Sequence, residues 1–150
     1  MNSPRMHVTY LALGSNLGRR RRNILRAIRL IRRHVGPVAA ISELIFSEPW
    51  GYQSEHGYVN AVARVGTMLS PQQLLSVTQE IERSMGRTEK SVGGVYHDRI
   101  IDIDILLYDD ITVDSPELKI PHPLMMQRDF VTIPLRQVLE NEKINVLFGR

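Results

Sequence analysis

The chain of 150 residues contains no cysteine. Disulfide bonds, thiolate nucleophiles and cysteine-ligated zinc sites are therefore excluded, so any chemistry must use oxygen and nitrogen groups. Runs of about 18 apolar residues, which a membrane-spanning helix requires, do not occur. Residues 1–7 also lack the apolar core of a secretory signal peptide. From these absences we expect a cytoplasmic protein with no membrane partner.

Acidic residues are only slightly fewer than basic ones. The chain has 16 Asp and Glu against 19 Lys and Arg, which gives a formal net charge of +3 at pH 7 and a pI of about 9.5. An arginine-dominated excess fits an anionic partner such as a nucleotide or a nucleic acid, or simply a solvated surface. A length of 150 residues with 43% hydrophobic content suffices for one core. We therefore expect one domain over residues 1–150.

Two carboxylates interrupt an otherwise apolar run at residues 99–108. The run is rich in isoleucine and leucine, which favours an extended strand in apolar surroundings. Side chains alternate faces along a strand, so Asp102 and Asp104 should project from one face, about 7 Å apart. Like charges this close are costly to bury unless a cation lies between them, and Mg²⁺ with phosphate oxygens is the usual solution. The alternative is a half-exposed strand with both acids facing solvent.

Hydrophobic periodicity predicts alternating strands and helices. Strands are expected at residues 6–13, 38–47, 58–65 and from 99, and helices at 19–34, 71–86 and 133–139. The second helix should begin with a capping box formed by Ser70 and Gln73, with Pro71 at its first position. The order β-α-β-β-α-β predicts an α+β ferredoxin-like sandwich with an antiparallel sheet, a small additional hairpin and a C-terminal helix.

Six stretches of sequence, in order, carry a resemblance to a known family. They are residues 10–18, 58–61, 78–82 with 86–87, 99–108, 121–122 and 128–130. On these motifs, which span most of the chain, it resembles the 6-hydroxymethyl-7,8-dihydropterin pyrophosphokinases of folate biosynthesis. The resemblance implies an ATP-dependent diphosphotransferase, in which ATP donates an intact diphosphate to the hydroxymethyl group of the pterin and leaves as AMP.

Catalysis of such a transfer comes from positioning and from neutralising phosphate charge. The resemblance implies two Mg²⁺ ions held by Asp102 and Asp104, with Arg87 and Arg99 as further catalytic residues and no separate protein base. It also implies an ATP site of eight residues: Gln79, Glu82, Arg87, Arg99, Ile105, Lys119, His122 and Arg128. Without the resemblance, each arginine could be a solvated charge, His122 a turn cap, and Gln79 with Glu82 a solvated helix face.

The pterin ring needs aromatic faces and a fixed amide. The resemblance implies that Tyr58 and Phe130 sandwich the ring and that Asn60 binds its edge. Backbone groups of Ser47, Glu48 and Trp50 would complete this pocket. The alternative for the two aromatic residues is an ordinary place in the core.

The loops around the expected site depart from the family in places. His97 and Asp98 stand where many members have Gly-Pro. We expect this loop and residues 49–57 to act as lids that close once MgATP binds and exclude water. Residues 14–18 lack the lysine and spacing of a Walker loop, so we interpret them as a structural turn.

Two other classes of function are alternatives for this sequence. A nucleic-acid-binding module is one, because arginines crowd the first predicted helix. Such modules usually display aromatic side chains on the sheet, whereas this sheet face should carry Asp102 and Asp104, which repel phosphates. A catalytically silent nucleotide sensor is the other, and the retained aspartates favour the enzyme over it. We expect ATP and the pterin as partners, no nucleic acid, and a monomer.

Overall fold

The computed structural model describes residues 5–48, 57–86 and 100–149. A five-stranded sheet organises them. Its strands are β1 (His7–Ser15), β2 (Val38–Ile41), β3 (Ile45–Ser47), β4 (Tyr58–Thr67) and β5 (Asp102–Tyr108). The helices are α1 (Arg20–His34), α2 (Pro71–Ser84), α3 (Asp129–Val138) and α4 (Asn141–Phe148). A two-stranded hairpin, β6 (Val113–Asp114) and β7 (Lys119–Ile120), and a 3₁₀ turn (Met125–Gln127) precede α3.

The sheet is antiparallel throughout, with the order β2-β4-β1-β5, and β3 also pairs with β4. The long strand β1 therefore lies in the middle, between β4 and β5. This order confirms the predicted ferredoxin-like arrangement and its antiparallel sheet.

Two apolar clusters cover the two faces of the sheet. On one face, α1 and α2 pack Ile24, Ile31, Leu74 and other residues against Leu11, Leu13 and their neighbours. On the opposite face, α3 packs Val131, Leu135 and Val138 against Tyr10 and Val62. Because α3 covers only part of this second face, the region near Gly14 and Asp102 stays open to a cavity.

The start of α2 agrees with the predicted capping box. The Gln73 backbone N–H donates to Ser70 Oγ at 3.2 Å, and the Ser70 N–H donates to Gln73 Oε1 at 2.9 Å. Pro71 occupies the first turn, where it loses no helical hydrogen bond.

Three boundaries differ from the prediction. The expected strand 38–47 is divided into β2 and β3, because the hydroxyl of Ser42 accepts the Val62 N–H at 2.8 Å in place of a regular strand partner. The expected helix at residues 133–139 corresponds to α3, which begins earlier, at Asp129, and a second helix, α4, follows it. None of the residues of α4 is fully buried, and Ile144, Leu147 and Phe148 pack only partly against the cluster on the second face.

The strands that carry the expected site also differ slightly from the prediction. Strand β1 continues through Gly14 and Ser15, so the turn starts later, and Gly18 adopts a positive φ of 68°. Strand β5 begins at Asp102 rather than at residue 99. Within the described part of the chain, no helix has the length and apolar character needed to cross a membrane.

Candidate active site

A cavity of about 320 Å³ opens on the sheet face opposite α1 and α2. Strands β1, β4 and β5 form its floor, and the start of α3 and the segment before it form one wall. Nine of the residues expected at the site from the sequence line it: Ser47, Glu48, Tyr58, Asn60, Asp102, Asp104, His122, Arg128 and Phe130. The structure therefore brings five of the expected pterin-binding residues and both carboxylates into one cavity.

Two small residues of β1 separate the halves of the cavity. Gly14 pairs with Asn60 of β4 on one side and with Asp102 of β5 on the other, and Ala12 pairs with Asp104. Neighbouring strands lie about 4.8 Å apart, so the backbones of Asn60 and Asp102 are separated by about 10 Å. A Cβ atom on Gly14 would lie 3.3 Å from both Asn60 Oδ1 and Tyr58 Cδ1. The space above β1 therefore depends on the small size of these residues.

The two aspartates project from the same face of β5, as the alternation of the strand predicts. They are half-buried, whereas Ile103 and Ile105 between and after them are only 6% and 4% exposed on the other face. Their carboxylates line the cavity together with His122 and Arg128. The sequence alternative in which both acids face only solvent does not describe this arrangement.

Glu82 of α2 holds the backbone between the two aspartates. Its carboxylate accepts the Ile103 N–H at 2.8 Å, and the residue is 4% exposed. Strand β5 is an edge strand of the sheet, so its outward N–H groups need partners from another element. Glu82 supplies one of these partners from the side of α2. This contact was not expected from the sequence, which indicated a nucleotide contact instead.

Three more residues expected at the nucleotide, Gln79, Ile105 and Lys119, do not line the cavity. Gln79 is half-buried on α2, and Ile105 lies in the core beneath α1 and α2. Lys119 of β7 is exposed and pairs with Asp114. None of these residues, nor Glu82, lines the cavity, so their contacts with ATP stay predictions. Arg87, Arg99 and Trp50 lie outside the described residues, as do both expected lids except Gly57.

The amide of Asn60 has a fixed orientation. The side chain is 5% exposed, and its Nδ2 donates to Ser47 Oγ at 2.7 Å and more weakly to the Ile45 carbonyl at 3.4 Å. Because both acceptors lie on β3, the amide nitrogen is assigned to the side of β3, and Oδ1 points towards Gly14. Asn60 therefore presents a preset hydrogen-bonding group in the half of the cavity lined by Tyr58 and Phe130.

Burial favours the neutral form of His122, and a hydrogen bond sets its tautomer in that form. Burial lowers the pKa of its imidazole, and the positive charge of Arg128 lowers it further, against the opposing attraction of Asp102. The Leu124 backbone N–H donates to Nδ1 at 3.2 Å, which assigns the proton to Nε2. A neutral imidazole with an Nε2–H group can donate a hydrogen bond to a phosphate oxygen.

Arg128 supplies positive charge beside this imidazole. It lies at the start of α3, and its guanidinium carbon is 5.7 Å from the centroid of the Phe130 ring. Arg128 and Phe130 both line the cavity, one at the anion side and the other at the ring side. The first turn of α3 thus serves both halves of the site.

The carboxylates fit a magnesium site that is completed by a substrate. Among residues 5–48, 57–86 and 100–149, no cluster of three or more His, Cys, Asp or Glu side chains could hold a metal ion. Mg²⁺ is usually held by one or two carboxylates together with water and substrate phosphates. Asp102 and Asp104 match that donor set, and His122 and Arg128 line the same cavity.

The arginines of α1 lie away from this cavity. Helix α1 packs on the opposite face of the sheet, and most of its arginines point to solvent. A nucleic acid laid on the sheet would meet Asp102 and Asp104 rather than these arginines. The geometry thus gives no support to the nucleic-acid-binding hypothesis.

Comparisons with known proteins agree with the site. Residues 10–140 match the family model described as 7,8-dihydro-6-hydroxymethylpterin-pyrophosphokinase (HPPK). A 2-amino-4-hydroxy-6-hydroxymethyldihydropteridine pyrophosphokinase from Porphyromonas gingivalis is 51% identical over 134 residues, which are 89% of this chain and 91% of that relative. The protein of the same name from Aquifex aeolicus is 38% identical over 136 residues, covering 91% of this chain and 82% of its own length.

Solved structures show the same fold. An HPPK-DHPS crystallised in complex with substrates has a TM-score of 0.70 at 15% identity, over 90% of this chain and 40% of that one. The Plasmodium falciparum HPPK-DHPS with pteroate has a TM-score of 0.68 at 16% identity, over all of this chain and 45% of that one. The chain thus spans less than half the length of these two-part proteins. From the family model and the relatives, the chain belongs to the 7,8-dihydro-6-hydroxymethylpterin-pyrophosphokinase family.

Proposed function

We propose that this chain transfers diphosphate from ATP to the hydroxymethyl group of 6-hydroxymethyl-7,8-dihydropterin, giving AMP and the pterin diphosphate, in folate biosynthesis. The names of the family and of its relatives support this activity. The observation that carries it to this chain is the row Asn60, Gly14 and Asp102 across three strands. This row gives one cavity a ring-binding side and a phosphate-binding side, about 10 Å apart.

On the ring side, Asn60 binds the edge of the pterin while Tyr58 and Phe130 contact its faces. The contact of Asn60 with Ser47 supports this role, because it fixes the amide before the substrate arrives. Backbone groups of Ser47 and Glu48, and of Trp50 outside the described residues, complete the pocket. Gly14 leaves room for the ring beside Asn60.

On the phosphate side, His122 and Arg128 bind oxygens of the triphosphate. The neutral imidazole donates from Nε2, and the guanidinium offers a planar set of donors suited to phosphate. Arg87 and Arg99 add positive charge from outside the described residues. Gln79, Ile105 and Lys119 are also proposed to contact the nucleotide, although none of them lines the cavity.

Asp102 and Asp104 hold two Mg²⁺ ions together with the phosphates of ATP. When bound, these ions neutralise phosphate charge and make the pterin hydroxyl more acidic. The protein's own contribution is to hold the hydroxymethyl group in line with the β-phosphorus and to exclude water. No separate protein base takes part.

Further proposals concern the whole chain. Residues 1–150 form a single pyrophosphokinase domain that acts as a monomer in the cytoplasm. The segments at residues 49–57 and 87–99 close over MgATP. Nuclear magnetic resonance on free and ligand-loaded protein tests this closure, which is wrong if their mobility does not change.

The activity is tested by AMP release from MgATP with and without the pterin. We expect pterin-dependent AMP and pterin diphosphate from the wild type, and neither product from the Asp102→Ala, Asp104→Ala double variant. A folded wild type that binds ATP and releases no AMP contradicts the enzyme and leaves the silent nucleotide sensor. AMP release that persists in the folded double variant would contradict the metal assignment alone.

A further inference from the structure

The guanidinium of Arg20, in the arginine run at residues 19–22, makes a hydrogen bond and a cation–π contact at the ends of the strands behind the cavity. Its Nη1 donates to the Gly57 carbonyl at 2.8 Å, and its guanidinium carbon lies 4.4 Å from the centroid of the Phe46 ring. Arg21 and Arg22, the next residues of the same helix turn, are exposed. Arg20 thus ties the start of α1 to β3 and to the residue that precedes β4.

Phe46 and Gly57 are also in direct contact with each other. A Cβ atom on Gly57 would lie 3.0 Å from both Phe46 Cε1 and the Ser47 carbonyl oxygen. The glycine therefore lets the ring lie flat against the backbone, and Arg20 then covers both groups. The three residues form a stack, which we call the Arg20 stack, at the ends of β3 and β4.

The Arg20 stack lies directly behind the ring side of the cavity. Side chains alternate along a strand, so Phe46 and Val59 face α1. Ser47 and Tyr58, their neighbours in sequence, pair with each other across the two strands and line the cavity. The backbone that Arg20 holds is thus the backbone that carries the proposed pterin-binding groups.

These strand ends are held from two sides. Strand β3 has three residues, its strand pairing among the described residues is with β4, and Phe46 is 61% exposed. On the cavity side, Asn60 donates hydrogen bonds to Ser47 Oγ and the Ile45 carbonyl. On the opposite side, Arg20 adds a charged hydrogen bond and a cation–π contact, which are among the stronger contacts a side chain can make. The phosphate-side residues are carried by β5 and by the segment before α3, which Arg20 does not contact.

We infer that Arg20 is a positioning residue for the pterin: it holds the ends of β3 and β4 so that Ser47, Tyr58 and Asn60 meet the ring in a fixed geometry. The inference rests on the proposed function for its substrate. It assigns Arg20 to one substrate only, because the stack lies behind one half of the cavity. Loss of the stack should weaken the pterin site and leave the ATP site intact.

The test compares Arg20→Ala with Arg20→Lys, Phe46→Ala and the matched control Arg21→Ala. Arg21→Ala removes the same charge from the same helix turn but neither the hydrogen bond to Gly57 nor the cation–π contact with Phe46, both of which Arg20 makes. For Arg20→Ala we expect the KM for the pterin to rise by about tenfold, the combined effect of one charged hydrogen bond and one cation–π contact. The KM for ATP should stay within about twofold, as should both constants in Arg21→Ala. Arg20→Lys should recover part of the loss, because an ammonium can still donate to Gly57 but cannot stack as a plane.

Hydrogen exchange at the backbone amides of β3 and the start of β4 supplies a readout that needs no activity. Arg20→Ala and Phe46→Ala should speed exchange there and leave exchange in β5 unchanged. Unchanged exchange in β3, an equal rise of both KM values, or the same defect in Arg21→Ala each overturns the role of Arg20. An inactive wild type whose β3 amides still depend on Arg20 overturns the proposed function and not the stack.

Discussion

Replacing Glu82 separates two accounts of this residue. The family resemblance implies a nucleotide contact for Glu82, whereas the structure shows its buried carboxylate accepting the Ile103 N–H at 2.8 Å. Glu82→Ala leaves that buried N–H without this acceptor, at a cost of about 2–3 kcal/mol in the free energy of unfolding. For a chain of this size, each kcal/mol lowers the melting temperature by about 2–4 °C. We therefore expect a decrease of about 4–12 °C.

Glu82→Gln should behave differently, because an amide oxygen of similar size can still accept the hydrogen bond. Loss of the charge alone should cost about 1 kcal/mol. Both variants should lower kcat more than they raise the KM for ATP, since Ile103 lies between Asp102 and Asp104 and its freedom moves both carboxylates.

Gln79→Ala is the matched control, one turn earlier on the same helix. Thermal unfolding and steady-state kinetics on the three variants decide between the two accounts. Were Glu82→Ala to keep the wild-type melting temperature and raise the KM for ATP, with Gln79→Ala behaving likewise, the positioning role of Glu82 would be refuted. The nucleotide contact indicated by the sequence would then be correct.

Three further predictions follow from single contacts. Gly14→Ala should weaken pterin binding in calorimetry by about tenfold with little effect on ATP, because its Cβ would press on Asn60; wild-type affinity would contradict the spacing argument. Burial and the carboxylate of Asp109 raise the pKa of the Tyr108 phenol. Its contribution to stability is therefore complete below about pH 10 and is lost as the pH rises through the folded-state pKa. Ultraviolet titration of wild type and Tyr108→Phe should assign one late-titrating phenol to this residue. Arg22→Glu should raise the free energy of unfolding by about 0.5–1 kcal/mol. The first turn of α1 has no acid to interact with the positive end of the helix dipole, and Glu at this position would also pair with Arg26 four residues later. A loss of stability would contradict this.

The fold was predictable because its signals are local. Alternation in β1, β4 and β5, the apolar stripe of α1 and the Ser70 cap of α2 each point to the observed element. The break between β2 and β3 was not predictable, because the hydroxyl of Ser42 replaces a strand partner only once β4 is in place. Helix α4 was missed because it is short and none of its residues is fully buried.

The site was predictable in part. The spacing of Asp102 and Asp104 is sufficient to place both on one face, and the ring-side residues came from the resemblance to the family. The spacing role of Gly14 needs the register of three strands, which a single sequence does not contain. The contact between Glu82 and β5 likewise depends on how α2 packs on the edge of the sheet. Tertiary contacts of this kind give no periodic signal.

The central claim is that one cavity holds the pterin and the phosphates on either side of β1. Paramagnetic broadening by Mn²⁺, used in place of Mg²⁺ with a non-hydrolysable ATP analogue, measures this directly. We expect Mn²⁺ to broaden the amide signals of Ala12, Gly14, Asp102 and Asp104 and the protons of bound pterin, which should lie within about 10 Å of the carboxylate side. Broadening that spares these amides, or pterin bound beyond the reach of the metal, would contradict the account.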